Sequence, residues 1–546
     1  MNSVLKSAGA MSAGTFLSRI LGLVREQVFA VLFGAQNVTD AFNIAFRIPN
    51  LLRDLFAEGA MSSALVPTFT QVRKKEGDRR AWQVAGRVFR VLFVLVSLLA
   101  VAGGLFAENL VALYASHFKN VPGKFEMTVE LTRILFPFFP LVALAAAYMG
   151  ILNAVGRFFI PAFASALFNL TSIIVGVLCA WLLPAFGIQP IVGMAIGVVL
   201  GGAVQAFCQL PSLYSSGYRF MARQSEDPAW SKDPALRSMM ALMIPGTIGL
   251  AATQINVLVN SVLATSQGTG AVSWLNYAFR LMQFPIGLFG VSFAAATLPR
   301  ASAFWVDRDF KGLSNLLDTT LKQVFAVNFP AAAGLAFLGY PIIQLLFQYG
   351  NFYPEDTAST AKALAAYSVG LGAYSAVKVL VPACYAVGVT RIAVISSILS
   401  VALTLAFNLT LIQPLGFMGL ALGTSLAATF NCLFLLIFLK RRIHQVGGEW
   451  RIFPIFKAAL VHGTLAMAMG WLCWFSYQWV QGFFAETWAR ESMGTFGAVM
   501  VRGFRVGLVI LEGIAFVFLF SKVFKIQENL AVIDLFSRKL KKRVSG

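Results

Sequence analysis

Charge is scarce in this chain: Asp, Glu, Lys and Arg make up 12% of its 546 residues, against roughly a quarter in soluble globular proteins. Apolar residues make up 58%, and the mean hydropathy is +0.75. So few charged side chains cannot clothe so much Phe, Leu, Ala and Val in water, which excludes a soluble multidomain protein and a disordered one. Cysteine is also scarce. Cys179, Cys208, Cys384, Cys432 and Cys473 are odd in number, lie mostly in apolar runs and form no C-x-x-C pair, so neither a disulfide framework nor a zinc site is expected. His117, His444 and His462 stand far apart with no H-E-x-x-H. His462, in an apolar run, is expected as a satisfied packing residue rather than a proton relay. The one Gly-Lys dipeptide, Gly123-Lys124, lacks the upstream glycine of a phosphate-binding loop and is followed by Phe125, which argues against ATP hydrolysis. No metal or cofactor is expected.

What is abundant is long apolar segments. Stretches able to cross a core of roughly 30 Å, at about 20 residues each, fall at 8–34, 41–70, 88–107, 128–153, 158–184, 189–214, 237–264, 272–298, 318–347, 357–386, 392–412, 417–439, 453–479 and 501–521, fourteen in all. The first continues through Arg19 and Arg25, which reads as a retained helix rather than a cleaved signal. With a cytoplasmic N terminus, the inner connections hold 28 of the 43 Lys and Arg, and the outer ones only Lys119, Lys124 and Arg490. That bias predicts cytoplasmic termini and explains the net charge of +20 by topology near anionic lipid, not by nucleic acid.

A duplication lies under the hydropathy. Asn43-Ile44-Ala45-Phe46-Arg47 is echoed by Asn276-Tyr277-Ala278-Phe279-Arg280 at an offset of 233. Val66-Pro67 returns as Leu298-Pro299 and Ala154-Val155-Gly156 as Ala386-Val387-Gly388, both at 232. Six spans per repeat is an even number, so the copies share one orientation, as in transporters whose lobes rock about a central site. The predicted fold class is an all-α polytopic membrane protein with two parallel six-helix lobes, 1–215 and 237–440. Two extra helices over 453–521 and a basic tail over 522–546 complete it.

Ionisable groups inside spans are costly and mark partners or wet cavities. The first two spans hold Arg19, Arg25, Arg47 and Arg53 together with Glu26, Asp40, Asp54 and Glu58. On an ideal helix Arg19 and Glu26 share a face, as do Asp40, Arg47 and Asp54, whereas Arg25 and Arg53 lie about 100–120° away. Internal pairing is one reading of this cluster, and a ligand for Arg25 and Arg53 is the other. Arg280 has no acidic residue from 266 to 306 and Lys378 none from 357 to 448. These cations either pair across the lobes or line a chamber that takes an anion, and guanidinium suits a diphosphate or polyanionic head group. Pro49 and Pro285 fall at similar places beside these arginines, where they either open the chamber wall or simply kink.

The segments Ser18-Arg19-Ile20-Leu21-Gly22-Leu23-Val24-Arg25, Thr39-Asp40-Ala41-Phe42, Ile48-Pro49-Asn50-Leu51-Leu52-Arg53, Phe56-Ala57-Glu58-Gly59-Ala60 and Leu65-Val66-Pro67 resemble the N-terminal signature of the MurJ/MviN lipid II flippases of the MOP exporter superfamily. Ser273-Trp274, Arg280-Leu281-Met282, Phe284-Pro285, Phe347-Gln348-Tyr349-Gly350 and Tyr367-Ser368-Val369-Gly370 extend the resemblance. It implies export of the lipid-linked peptidoglycan precursor, lipid II, across the bacterial cytoplasmic (inner) membrane, and no enzymatic activity. It also implies substrate-binding roles for Arg19, Arg25, Arg53 and Arg280, supporting or gating roles for Asp40, Glu26, Arg47, Glu58 and Lys378, and a lipid-tail groove at 453–521. Bilayer lipids and other cell-wall synthesis proteins are the further expected partners. The chain has Phe279-Arg280 where many members have Asp-Arg, and Gln283 for a frequent Glu. No Asp or Glu occurs in 240–263 or 392–412, so the sodium site of certain relatives is not expected. Two alternatives stay open, an ion-coupled multidrug exporter of MATE type and a non-transporting scaffold of a cell-wall complex.

Overall fold

A computed structural model describes residues 2–55, 64–219, 239, 254–484, 486–526 and 528–530. All regular structure among the described residues is helical. Eight helices are long and apolar enough to span a membrane: Asp78–Leu105, Phe159–Phe186, Pro190–Ser215, Ala271–Val306, Thr390–Leu415, Phe417–Gln445, Phe453–Phe483 and Phe496–Val523. Three bent pairs bring the number to as many as eleven: Lys124–Leu135 with Phe138–Ala154, Phe310–Phe337 with Gly339–Phe347, and Pro354–Ser368 with Leu371–Ala386. The other three expected spans fall outside this set for visible reasons. The first, 8–34, most of it on α1 (Asn2–Phe33), carries Arg19, Arg25 and Glu26. The second is divided between α2 (Asn37–Arg53) and α3 (Val66–Glu76). The third is described only at 239 and in the short apolar helix Gln254–Thr265.

The chain divides into two compact units, Met1–Ser273 and Trp274–Gly546. The first contains α1 to α3, α4 (Asp78–Leu105), α5 (Ala107–Ala115), α6 (Lys124–Leu135), α7 (Phe138–Ala154), α8 (Phe159–Leu182), α9 (Pro190–Phe207), α10 (Leu210–Ser215) and α11 (Gln254–Thr265). Its core joins Phe29 and Phe33 of α1, Phe42 of α2, Leu131 and Leu135 of α6, Phe138 of α7 and Val198 of α9. Lipid offers no hydrophobic drive to bring helices together, so close backbone approach through small residues must supply the attraction. The α8–α9 pair does this with glycine. A Cβ on Gly197 would stand 2.7 Å from the Gly176 Cα, closer than any real contact.

The second unit takes most of α12 (Ala271–Pro285), then α13 (Val291–Val306), α14 (Phe310–Phe337), α15 (Gly339–Phe347), α16 (Pro354–Ser368), α17 (Leu371–Ala386), α18 (Thr390–Leu415), α19 (Phe417–Gln445), α20 (Phe453–Phe483) and α21 (Glu486–Val523). Leu313, Leu317, Leu321 and Val324 form an i, i+4, i+8, i+11 stripe on α14 that packs with Val379 and Leu380 of α17 and Leu435 and Leu439 of α19. A second cluster joins Ala333 and Leu338 to Met469 and Cys473 of α20 and Val506 and Val509 of α21. His462 of α20 is buried as expected, but its Nδ1 has no hydrogen-bond partner. The five cysteines are free thiols, none of them fully exposed.

Two positions of the sequence echo share one backbone form. After α7, Gly156 takes φ 82°, its N–H donates to the Asn153 carbonyl, and the Arg157 N–H donates to Leu152 at 2.8 Å. After α17, Gly388 takes φ 74°, its N–H donates to Tyr385, and the Val389 N–H donates to Cys384 at 2.9 Å. Both are Schellman caps, which need a left-handed residue that glycine supplies without strain. Pro285 is followed directly by a π-helical turn, Ile286–Gly290, and residues 54–55, beyond Pro49, are also π-helical.

Candidate functional site

Asp40, in the first turn of α2, is fully buried. Its Oδ2 accepts from the Lys124 Nζ at 2.9 Å and from the Gly270 N–H at 2.8 Å. Its Oδ1 accepts from the Ser273 N–H at 3.1 Å and from the Ser273 hydroxyl at 2.7 Å. Asn43 Nδ2 donates to the same hydroxyl oxygen at 3.1 Å, and Thr269 donates to Asn37 Oδ1 at 2.8 Å. The arrangement has a simple cause. The start of α12 presents N–H groups that have no partner inside the helix and carries the positive end of its dipole, and a carboxylate answers both. Lys124 opens α6 directly after the left-handed Gly123, with its Nζ 4.1 Å from the Phe118 ring centroid, a buried cation between a carboxylate and an aromatic face.

The arginines expected to meet substrate have varied surroundings. Arg25 is buried on α1, donates to Glu26 Oε1 at 3.2 Å, and has its Cζ 5.4 Å from the Phe168 ring centroid. Arg53 Nε donates to Asp54 Oδ1 at 2.9 Å, and Gln254 Nε2 reaches Asp54 Oδ2 at 3.4 Å. Arg19 is exposed on α1, and Arg47 is half-buried on α2. In the second unit Arg280 is half-buried on α12, just over a turn before Pro285, and Lys378 is exposed on α17. Glu58 lies outside the described residues.

The ion pairs therefore differ from those read off helical faces. Glu26 pairs with Arg25 rather than Arg19, Asp40 with Lys124 rather than Arg47, and Asp54 with Arg53. Residues seven apart share a face but stand about 10 Å apart along the axis, too far for a short carboxylate, whereas a long guanidinium can curl onto its chain neighbour. The reading missed Lys124, Asn43 and Gln254. Lys124 left one signal, as one of only three cations in the outer connections.

What the arrangement can do follows from the chemistry. A carboxylate that already accepts four hydrogen bonds is a structural clasp and not a ligand for a passing cation. The guanidinium groups carry the fork geometry that phosphate oxygens fit. Among the described residues no group of three His, Cys, Asp or Glu could hold a metal ion.

Comparison with known proteins agrees along nearly the whole chain. The family model described as lipid II flippase MurJ matches residues 29–490. A probable lipid II flippase MurJ of Vibrio cholerae is 37% identical over 452 residues, 81% of this chain and 83% of that protein. The lipid II flippase MurJ of Burkholderia cenocepacia is 34% identical over 511 residues, 93% of this chain and 97% of its own. Among solved structures, a lipid II flippase MurJ in an inward closed conformation superposes with a TM-score of 0.73 at 26% identity, covering 94% of this chain and 98% of that one. An inward-facing MATE multidrug resistance transporter of the MOP superfamily superposes with a TM-score of 0.68 at 14% identity, covering 79% of this chain and 95% of that one, a likeness of fold alone. By these matches the chain belongs to the MurJ lipid II flippase family.

Proposed function

We infer that this chain moves lipid II, the lipid-linked peptidoglycan precursor, from the inner to the outer leaflet of the bacterial cytoplasmic membrane. It does so as a multi-pass transporter without enzymatic chemistry. The observation that carries this reading is the match of residues 29–490 to the lipid II flippase model, in a chain whose apolar helices carry Arg19, Arg25, Arg53 and Arg280. In this proposal the two six-helix lobes alternate access to a chamber where those guanidinium groups receive the diphosphate of the head group. Glu26, Arg47, Asp40, Glu58 and Lys378 support or gate it. The 453–521 pair takes the isoprenoid tail, both termini are cytoplasmic, and other cell-wall synthesis proteins are further partners.

The drive can be electrical. With the cell interior negative, outward movement of an anion gains roughly 2.3 kcal/mol per charge per 100 mV, and the emptied cationic chamber is drawn back inward. The test is precursor accessibility in cells depleted of this protein. Lipid II should build up in the inner leaflet and become shielded from an external probe. Depletion with no change in accessibility overturns the reading and favours a scaffold.

A further inference from the structure

Between Phe496 and Ser521 the last span carries three charged side chains, Arg502, Arg505 and Glu512. The transport reading uses none of them. Glu512 is accounted for locally, since its Oε1 accepts from the Ser476 hydroxyl of α20 at 2.8 Å. Arg502 donates from Nη1 to the Gln348 carbonyl at 3.5 Å, just past the end of α15, and its Cζ is 5.8 Å from the Tyr349 ring centroid.

Arg505 is different. It is 2% exposed, its Nε is buried with no hydrogen-bond partner, and it has no ion pair among the described residues. On the helix it falls beside buried Val509, on the face turned toward the protein, with Arg502 one turn before it. Arginine does not shed its proton to escape such a place. A guanidinium withdrawn from water needs an acceptor that the described protein does not provide.

The surroundings say what kind of acceptor fits. Helical side chains lean toward the helix N terminus, so both arginines reach toward the Phe496 end of the span. The expected topology puts that end at the outer interface. The adjoining flank of the same helix, about 60–120° round from Arg505, exposes Phe504, Leu508 and Leu511, a wall for acyl chains. An oxyanion attached to hydrocarbon meets both demands, whereas a free ion would leave the apolar wall bare. Planar forks also take phosphate oxygens two at a time. We propose that Arg502 and Arg505 form a binding site for the phosphate of an anionic glycerophospholipid, seated where α21 meets the end of α15.

The test uses the full-length protein in detergent and does not depend on transport. Native mass spectrometry would compare retention of phosphatidylglycerol with that of diacylglycerol carrying the same chains. Wild type should retain the phospholipid at least 5-fold better, Arg505→Gln should lose that preference, and Arg505→Lys, which keeps charge without the fork, should fall between. Phosphatidylglycerol should also raise the Tm of wild type and not that of Arg505→Gln. Equal retention of the two lipids by wild type overturns the proposal, as does an undiminished preference in Arg505→Gln. Inorganic phosphate displacing the lipid's effect entirely would mean a free-anion site, and undecaprenyl diphosphate displacing phosphatidylglycerol at lower concentration would assign the site to a polyprenyl lipid. Either result overturns it. Should Arg505→Gln not fold, the wild-type comparison and Arg502→Gln decide the question alone.

Discussion

The Lys124 ammonium lies 2.9 Å from the Asp40 carboxylate, and the two side chains are 2% and 0% exposed. Breaking a buried pair from one side strands a charge, at about 3–5 kcal/mol. Lys124→Met should therefore lower the Tm of the solubilised protein sharply, and Lys124→Met combined with Asp40→Asn should recover only part of the loss, because an Asn has one oxygen for the Gly270 and Ser273 donors that the carboxylate holds with two. Thermal denaturation of wild type and the two variants measures this, and an unchanged Tm in Lys124→Met would remove the pair from the account.

Arg25 and Glu26 allow a similar separation of support from binding. Glu26→Gln deprives a buried guanidinium of its acceptor charge, so stability should fall by about 1–3 kcal/mol. If Arg25 also grips phosphate, Arg25→Ala should cut flipping per folded molecule at least ~10-fold while Glu26→Gln leaves most of it. Equal rates per folded molecule in both variants would reduce Arg25 to a structural role.

Arg280→Ala should abolish head-group transport in proteoliposomes with normal membrane insertion. Collapsing the potential while sodium and proton gradients are kept should slow wild-type flipping, and undiminished transport under that condition would refute the electrical drive.

Tyr218 follows the span Pro190–Ser215 and lies among Trp82, Phe89 and Tyr214. Burial raises its phenol above the ordinary value of 10.0, with Tyr214 adding to the rise and Arg90 opposing it. A group whose folded pKa is raised contributes stability that is complete below its unfolded value and is lost as pH climbs through the folded one. Wild type should thus lose more stability than Tyr218→Phe as pH rises above 10. Parallel alkaline curves for the two proteins would contradict this.

Gly197→Ala should destabilise the first unit by about 1–3 kcal/mol through overpacking against Gly176. Gly104→Ala, where an added Cβ meets nothing within 4 Å, should be neutral or slightly stabilising through helix propensity. Similar effects at both positions would show that the seam is looser than its distances.

The helices and their class were legible because a bilayer demands long apolar runs, and no other environment tolerates so many. The two caps at Gly156 and Gly388 were legible because glycine acts locally on the backbone. Partner choice was not legible. Lys124 and Asp40 stand 84 positions apart, and no periodicity links them. The pairing of Arg25 with Glu26 was not legible, because neighbouring residues stand about 100° apart on a helix and a long guanidinium stem closes that gap. Arg505 stood in plain view, but what makes it unusual is its inward direction, and direction is a property of packing.

The glycine contact between α8 and α9 has a mechanical corollary. Where one main chain rests on another there are no rotamers left to readjust, so the contact cannot yield by degrees and its helices travel as a slab. Compliance must then reside where the helical ladder is already interrupted, and in the first unit α2 beyond Pro49 is such a place. Arg53 closes α2 at that interruption.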